Sequence, residues 1–158
     1  MSLLRRTPIS IGRAERERRD DRFFVVAAED TYAPSQYFDG LDFHRVKVVV
    51  LPTPPGSGLS SPEQVVDRLK EAFQEAKKNR ECQEDDEFWV LFDTDHHVRD
   101  THLRGTTEAL AQARQVGFEV AISNPCFELW LLLHHEEVTA GDRLSNCAEV
   151  EARLSAVL

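Results

Sequence analysis

Four short apolar runs frame this chain: Arg22 to Glu29, Val46 to Leu51, Glu87 to Asp93 and Phe118 to Ile122. They are rich in β-branched and aromatic residues, and an uninterrupted apolar run of this length fits a strand covered on both faces, as in a parallel sheet. The segments between them carry apolar residues at helical spacing instead. Ala33 to Phe43 is predicted to be helical, with Tyr37, Phe38 and Leu41 on one buried face. Ser61-Pro62-Glu63-Gln64 is a helix start with an N-cap serine, proline in the first turn and a capping-box glutamine. Val65, Val66, Leu69, Ala72, Phe73 and Ala76 then form its apolar stripe, and it should end near Asn79 or Arg80. Thr106 or Thr107 is expected to cap a third helix, which carries Ala109, Leu110 and Ala113 and stops at Gly117. Beyond Ser123-Asn124-Pro125, Cys126 to His134 reads as a mostly apolar helix with Phe127, Trp130, Leu131 and Leu132 in the core. Ser145 to Leu158 reads as a last helix burying Val150, Leu154 and Val157.

The resulting order, β-α-β-α-β-α-β-α-α, predicts an α/β fold with a mostly parallel four-stranded sheet, right-handed crossovers and flanking helices. Ligands of such sheets bind outside the carboxyl ends of the strands. Glu29 follows the first strand, Asp93 and Asp95 end the third, and Ser123 and Asn124 end the fourth, so parallel strands would bring all of them to one edge. Carboxylates gathered there are costly unless a cation, a proton or a basic partner neutralises them. Oxygen ligands from separate strands suit Mg²⁺ or Mn²⁺. Such ions can hold the attacking and leaving oxygens of a phosphodiester in line.

Composition narrows the field. The chain has 158 residues, 41% apolar and 30% charged, which suits one globular domain over residues 22–158 preceded by a basic arm over 1–21. Residues 1–22 hold seven arginines against four acids and sum to +3, so the other 136 residues carry −12 of the net −9. An acidic body argues against tight, unaided binding of nucleic acid through a broad basic face. The longest uncharged apolar stretch, Leu129 to Leu133, is too short to cross a bilayer, and no signal peptide is expected. Cys82, Cys126 and Cys147 show no CxxC pattern, so a disulfide framework or zinc knuckle is not expected and a reducing cytoplasm is the natural setting. The last helix meets no stop signal before Leu158, which leaves room for a further C-terminal portion.

Three blocks resemble a known family. They are Val25-Val26-Ala27-Ala28-Glu29 followed by Phe38, then Phe88-Trp89-Val90-Leu91-Phe92-Asp93-Thr94-Asp95, and Ile122-Ser123-Asn124-Pro125-Cys126-Phe127-Glu128-Leu129-Trp130-Leu131-Leu132-Leu133-His134. The chain looks like the RloB-like proteins, whose fold is similar to the Toprim fold of topoisomerases, primases and the nuclease half of OLD-type proteins. The resemblance implies that Glu29 is a metal ligand or general acid/base and that Asp93 and Asp95 are the metal-binding DxD pair. It also implies that Ser123 to Glu128 adds ligands, with Glu128 on a second ion. Ser123, Asn124 and His96 are candidates for contact with substrate or for support of the ligands. The implied activity is that of a Mg²⁺- or Mn²⁺-dependent nuclease, a hydrolase of bacterial anti-phage defence and abortive infection that works beside an ATPase subunit.

The chain departs from that family where Asp30-Thr31-Tyr32-Ala33-Pro34-Ser35 replaces the usual Gly-Glu-Lys-Thr-Glu-Pro, losing a lysine suited to phosphate. Two other readings therefore stand beside the nuclease. One is a catalytically degenerate module that binds a partner protein. The other is primase-like phosphoryl chemistry on a nucleotide, for which the sequence offers no nucleotide-binding signature. Residue by residue, a DxD can simply cap the next helix, and Glu128 suits a helix start on electrostatic grounds alone. The adjacent His96 and His97 point apart and do not suit a shared zinc ion. His134 and His135 fit a helix end, and Cys126 fits a buried, inert thiol. Pro52 to Gly58 lacks the Gly-Lys-Ser/Thr ending of a phosphate-binding loop.

Overall fold

A computed structural model describes residues 19–95 and 103–158. Four strands, β1 (Arg22–Ala28), β2 (Val46–Leu51), β3 (Glu87–Asp93) and β4 (Glu119–Ser123), form one sheet in the order β2-β1-β3-β4. Every pairing is parallel, with Ala28 opposite Leu91 and Asp93 opposite Ser123. The helices are α1 (Ala33–Asp39), α2 (Pro62–Lys78), α3 (Leu103–Val116), α4 (Glu128–Leu132) and α5 (Cys147–Val157). This is the α/β architecture expected from the sequence, a parallel sheet flanked by helices and consistent with a Toprim-like fold.

Helices pack on both faces of the sheet, although the face toward α1 and α4 keeps an open apolar groove lined by Phe24, Val48 and Trp89. On one face Ala27, Phe88, Val90 and Phe92 pack against Val65, Val66 and Leu69 of α2 and Ala109 and Ala113 of α3. Phe73 closes this layer edge-on to Phe88 and Phe118, with ring centres 4.7 and 5.5 Å apart. On the other face Val26, Ala28 and Leu91 meet Phe127, with Tyr37 and Phe38 of α1 and Leu131 of α4 beside them. Cys126, Leu132, Val150 and Leu154 make a third cluster that joins α4 to α5.

Local signals account for the element ends. The Ser61 hydroxyl accepts from the Gln64 N–H and the Gln64 carboxamide accepts from the Ser61 N–H, so the expected capping box is formed. Gly117 has φ +89°, a left-handed conformation that lets the chain leave α3 and turn into β4.

The structure also corrects several expectations. Helix α1 stops at Asp39, because Gly40 is its C-cap, and Leu41 lies beyond it, exposed rather than buried. Helix α3 starts at Leu103, not at a threonine cap. Gly105 lies in its first turn, where a Cβ would approach the Glu63 carboxylate at 3.2 Å. The 126–134 helix shrinks to Glu128–Leu132, because tighter i→i+3 bonds take over on both sides: Leu129 N–H to Cys126 O, and His134 N–H to Leu131 O, each 3.1 Å. Phe118 precedes β4 but is still buried. Trp130 and Val157 are not core residues, since they are 50% and 39% exposed. No described helix is long and apolar enough to cross a membrane.

Candidate functional site

The connection from β1 through α1 leads to β2 on one side of the sheet. The chain then passes through α2 to β3 on the opposite side of β1. With right-handed crossovers this puts α1 and α2 on opposite faces and opens a crevice outside the ends of β1 and β3. Glu29 and Asp93 stand at that switch point. Ala28, Glu29, Asp30, Pro34, Leu91, Asp93 and Phe127 line a narrow crevice there.

Glu29 is buried, and its backbone N–H extends the ladder to Leu91 O at 3.3 Å. Its Oε2 accepts the Asp93 N–H at 3.4 Å, which ties the carboxylate to the end of β3. Asp93 accepts a bond from the Phe127 backbone, yet its Oδ1 is buried without a hydrogen-bond partner. Burial, followed by the negative charges of Glu29, Glu128 and Asp30, pushes the Asp93 carboxyl up to about 8. Among the described residues, no cation is among the groups that shift Asp93, one of the three acids that both the strand pattern and the family resemblance single out.

Asp95 plays a different part. Strand β3 ends at Asp93, and the Thr94 N–H turns to Ser123 O at 2.9 Å and Pro125 O at 3.0 Å. Asp95 follows that turn: its N–H donates to Pro125 O at 3.0 Å, and its Oδ2 accepts the Cys147 N–H at the start of α5, also at 3.0 Å. The DxD pair is thus divided between the crevice and the end of a helix. Ser123 contributes its carbonyl to this turn, and the exposed Asn124 accepts from the Thr94 hydroxyl at 2.7 Å. Both are positioned to shape the edge. Glu128, the first residue of α4, is close enough to act electrostatically on Asp93. Asp30 accepts from the Tyr32 and Ala33 N–H groups and steadies the approach to α1. His96 and His97 lie outside the described residues.

Sequence reasoning missed two contributors. Arg68 of α2 reaches behind the edge, donating from Nη2 to Ala28 O at 2.8 Å and to the Thr53 hydroxyl at 3.0 Å. It is a cation one residue from Glu29, and its only sequence signal is its place beside the apolar stripe of α2. The second contributor is the Phe127 N–H on Asp93, a backbone group that leaves no sequence signal. His134 lies against Tyr37, with its Nε2 3.1 Å from the Tyr37 hydroxyl, which agrees with a structural role. Among the described residues, no three His, Cys, Asp or Glu side chains converge as a preassembled metal cage. The residues do fit a cation in one respect, the orphaned Asp93 oxygen within electrostatic reach of Glu29, Glu128 and Asp30.

The family model for RloB-like proteins matches residues 24–157, nearly the whole described domain. The chain belongs to the RloB-like family. No curated protein and no solved structure matches it. The match covers the crevice, α4 and α5 together, so the acidic edge lies inside the family domain.

Proposed function

We propose that this RloB-like protein is a divalent-cation-dependent phosphodiesterase that acts on nucleic acid, with Mg²⁺ or Mn²⁺ held at the switch-point crevice. The observation that carries this reading is the buried, unpartnered Oδ1 of Asp93, raised in pKa first by burial and then by the carboxylates around it. Such a group gains from a cation more than any other on the edge. Asp93, Glu29 and Glu128 would hold the ion, with Asp95 completing the set if it exchanges its bond to α5. A bound cation would neutralise charge on a phosphoryl oxygen. Asp93 holds a proton near neutral pH and gives it up as positive charge arrives. The Asp93 N–H keeps Glu29 oriented toward the crevice. Arg68, behind Glu29, braces the end of β1 through the carbonyl of Ala28. The acidic body supports a substrate delivered by a partner, which we take to be an ATPase subunit in bacterial anti-phage defence.

The test is a thermal-shift titration with Mg²⁺, Mn²⁺ and Ca²⁺, wild type against Asp93→Ala, followed by cleavage assays on single- and double-stranded DNA and RNA. A saturable shift that vanishes in the variant, together with cation-dependent cleavage, is the expected result. No shift and no cleavage would refute the reading.

A second reading is a catalytically degenerate interaction module. It is favoured by the engagement of Asp95 with α5 and by the lack of a preassembled three-ligand cage among the described residues. Tight binding of an ATPase partner that is indifferent to both cations and the Asp93 substitution would establish it.

A further inference from the structure

We propose that Cys126 and Cys147 form a reversible intramolecular disulfide that ties the start of α5 to the turn after β4, beside the acidic edge. The two thiols lie 21 positions apart in sequence, yet the fold packs both side chains into one cluster between α4 and α5. They share one apolar cluster with Leu132, Val150 and Leu154. Asp95 braces the backbone on both sides of the pair. Its N–H donates to the carbonyl of Pro125, which precedes Cys126, and its carboxylate accepts from Cys147 N–H, each at 3.0 Å. The packing of α4 on α5 therefore brings the two cysteines together, and a disulfide fixes their sulfurs at about 2.05 Å. Cys82 is remote from the pair, in the turn between α2 and β3 with its Sγ 3.7 Å from Gln83 O.

The pair is asymmetric. Cys126 is 1% exposed, whereas Cys147 is only half-buried, so a reagent meets Cys147 first. With a low-molecular-weight disulfide as oxidant, the Cys147 sulfur displaces one thiol and forms a mixed disulfide. The Cys126 sulfur then attacks the Cys147 sulfur and releases the second thiol. Two electrons and two protons leave the protein thiols and appear in the two released thiols, so the exchange balances. Burial first, and then the Asp95 and Asp93 carboxylates, favour the protonated form of Cys147, which makes the exchange slow, so it is followed to equilibrium.

Oxidation also bears on the edge. The disulfide would join Cys147, whose backbone N–H binds the Asp95 carboxylate, to Cys126, two residues before Glu128, and so fix the position of both acids. This consequence for cation binding rests on the function proposed above; the disulfide itself does not.

The experiment uses the full chain carrying Cys82→Ser, equilibrated at pH 8 in buffers of reduced and oxidised glutathione, then alkylated, digested with trypsin and weighed. Cleavage after Arg114, Arg143 and Arg153 separates the two cysteines. The expected result is a reductant-sensitive link between Gln115–Arg143 and Leu144–Arg153 in monomeric protein. Adding Cys126→Ser should instead trap glutathione on Cys147. A Cys82→Ser protein that carries glutathione on Cys147 with Cys126 free at every redox ratio, or that links only between chains, would overturn the proposal. A Mn²⁺ thermal-shift titration of both redox forms separates the two ideas. A disulfide with no cation response in either form sustains the disulfide and removes the cation reading.

Discussion

Replacing Asp93 with asparagine should stabilise the protein, and only at the upper end of the pH range. Asp93 is pushed from 3.8 up to about 8, first by burial and then by Glu29, Glu128 and Asp30. Every tenfold gain in proton affinity corresponds to about 1.4 kcal/mol, so the full displacement sets a ceiling of about 6 kcal/mol. Asp30 is only half-buried and can turn toward water, which weakens its share of the repulsion. We expect roughly half of the ceiling, about 3 kcal/mol, to be measured, equivalent to about 6–12 °C in Tm for a chain of this size. The folded protein keeps the proton on Asp93 while the unfolded chain loses it near pH 4. The stability associated with that proton is therefore complete below about pH 4 and is lost as pH rises through about 8.

Asparagine keeps the shape of the side chain and has no charge to lose. Urea unfolding of wild type and Asp93→Asn, at intervals from pH 4 to pH 9, should give curves that coincide at the acidic end. They should separate progressively, with the variant the more stable at pH 8. Parallel profiles, or a variant less stable at pH 8, would show that the Asp93 carboxylate is already compensated. The argument for a cation at this edge would then lose its basis. Asp95→Asn is the contrasting control. Its amide oxygen can still accept the Cys147 N–H, so stability should stay level across the pH range, whereas Asp95→Ala, which removes the acceptor, should cost about 1 kcal/mol.

Three further outcomes follow from the same geometry. Mn²⁺ must displace the proton from Asp93, so its apparent affinity should rise about tenfold per pH unit and level off above about pH 8; calorimetry in buffers of different ionisation heat should detect about one proton released. Arg68→Met should lower stability by roughly 2–3 kcal/mol in urea, because Ala28 O and the Thr53 hydroxyl lose a charged donor; an unchanged midpoint would dismiss Arg68 as a support of the edge. Ser61→Ala should cost about 1 kcal/mol by breaking the capping box of α2, read as a lower urea midpoint at constant slope.

Much of the fold was legible because local and global preferences agree. The strands are mostly apolar since helices pack on both faces, and their ends carry the polar residues that a parallel sheet brings to one edge. Helix α2 was readable down to its cap, because Ser61, Pro62 and Gln64 each solve a backbone problem within one turn. The errors lie where the deciding contact is distant or the competing geometry is close in energy. Trp130 looks like core by hydrophobicity, but α4 is a short, tightly wound segment that leaves it half exposed. Helix α1 lost its last residues to Gly40, a stop signal that an apolar pattern running on to Leu41 and Phe43 had obscured.

The acidic edge shows the limit most clearly. In an extended strand, residues 93 and 95 would point to one side, since side chains repeat every second residue. That alternation is what makes a DxD look like a single two-pronged ligand. Here the strand ends between the two prongs, because the Thr94 N–H leaves the sheet for Ser123 O and Pro125 O. Asp93 stays in the switch-point crevice, while Asp95 turns to the N–H of Cys147, 52 residues away. The same turn binds the N–H of Cys147 and the carbonyl that precedes Cys126, so one break in a strand divides the carboxylates and brackets the two cysteines. Sequence gives the identities of all four residues, but only the packing of α5 on the end of the sheet decides which of them face one another.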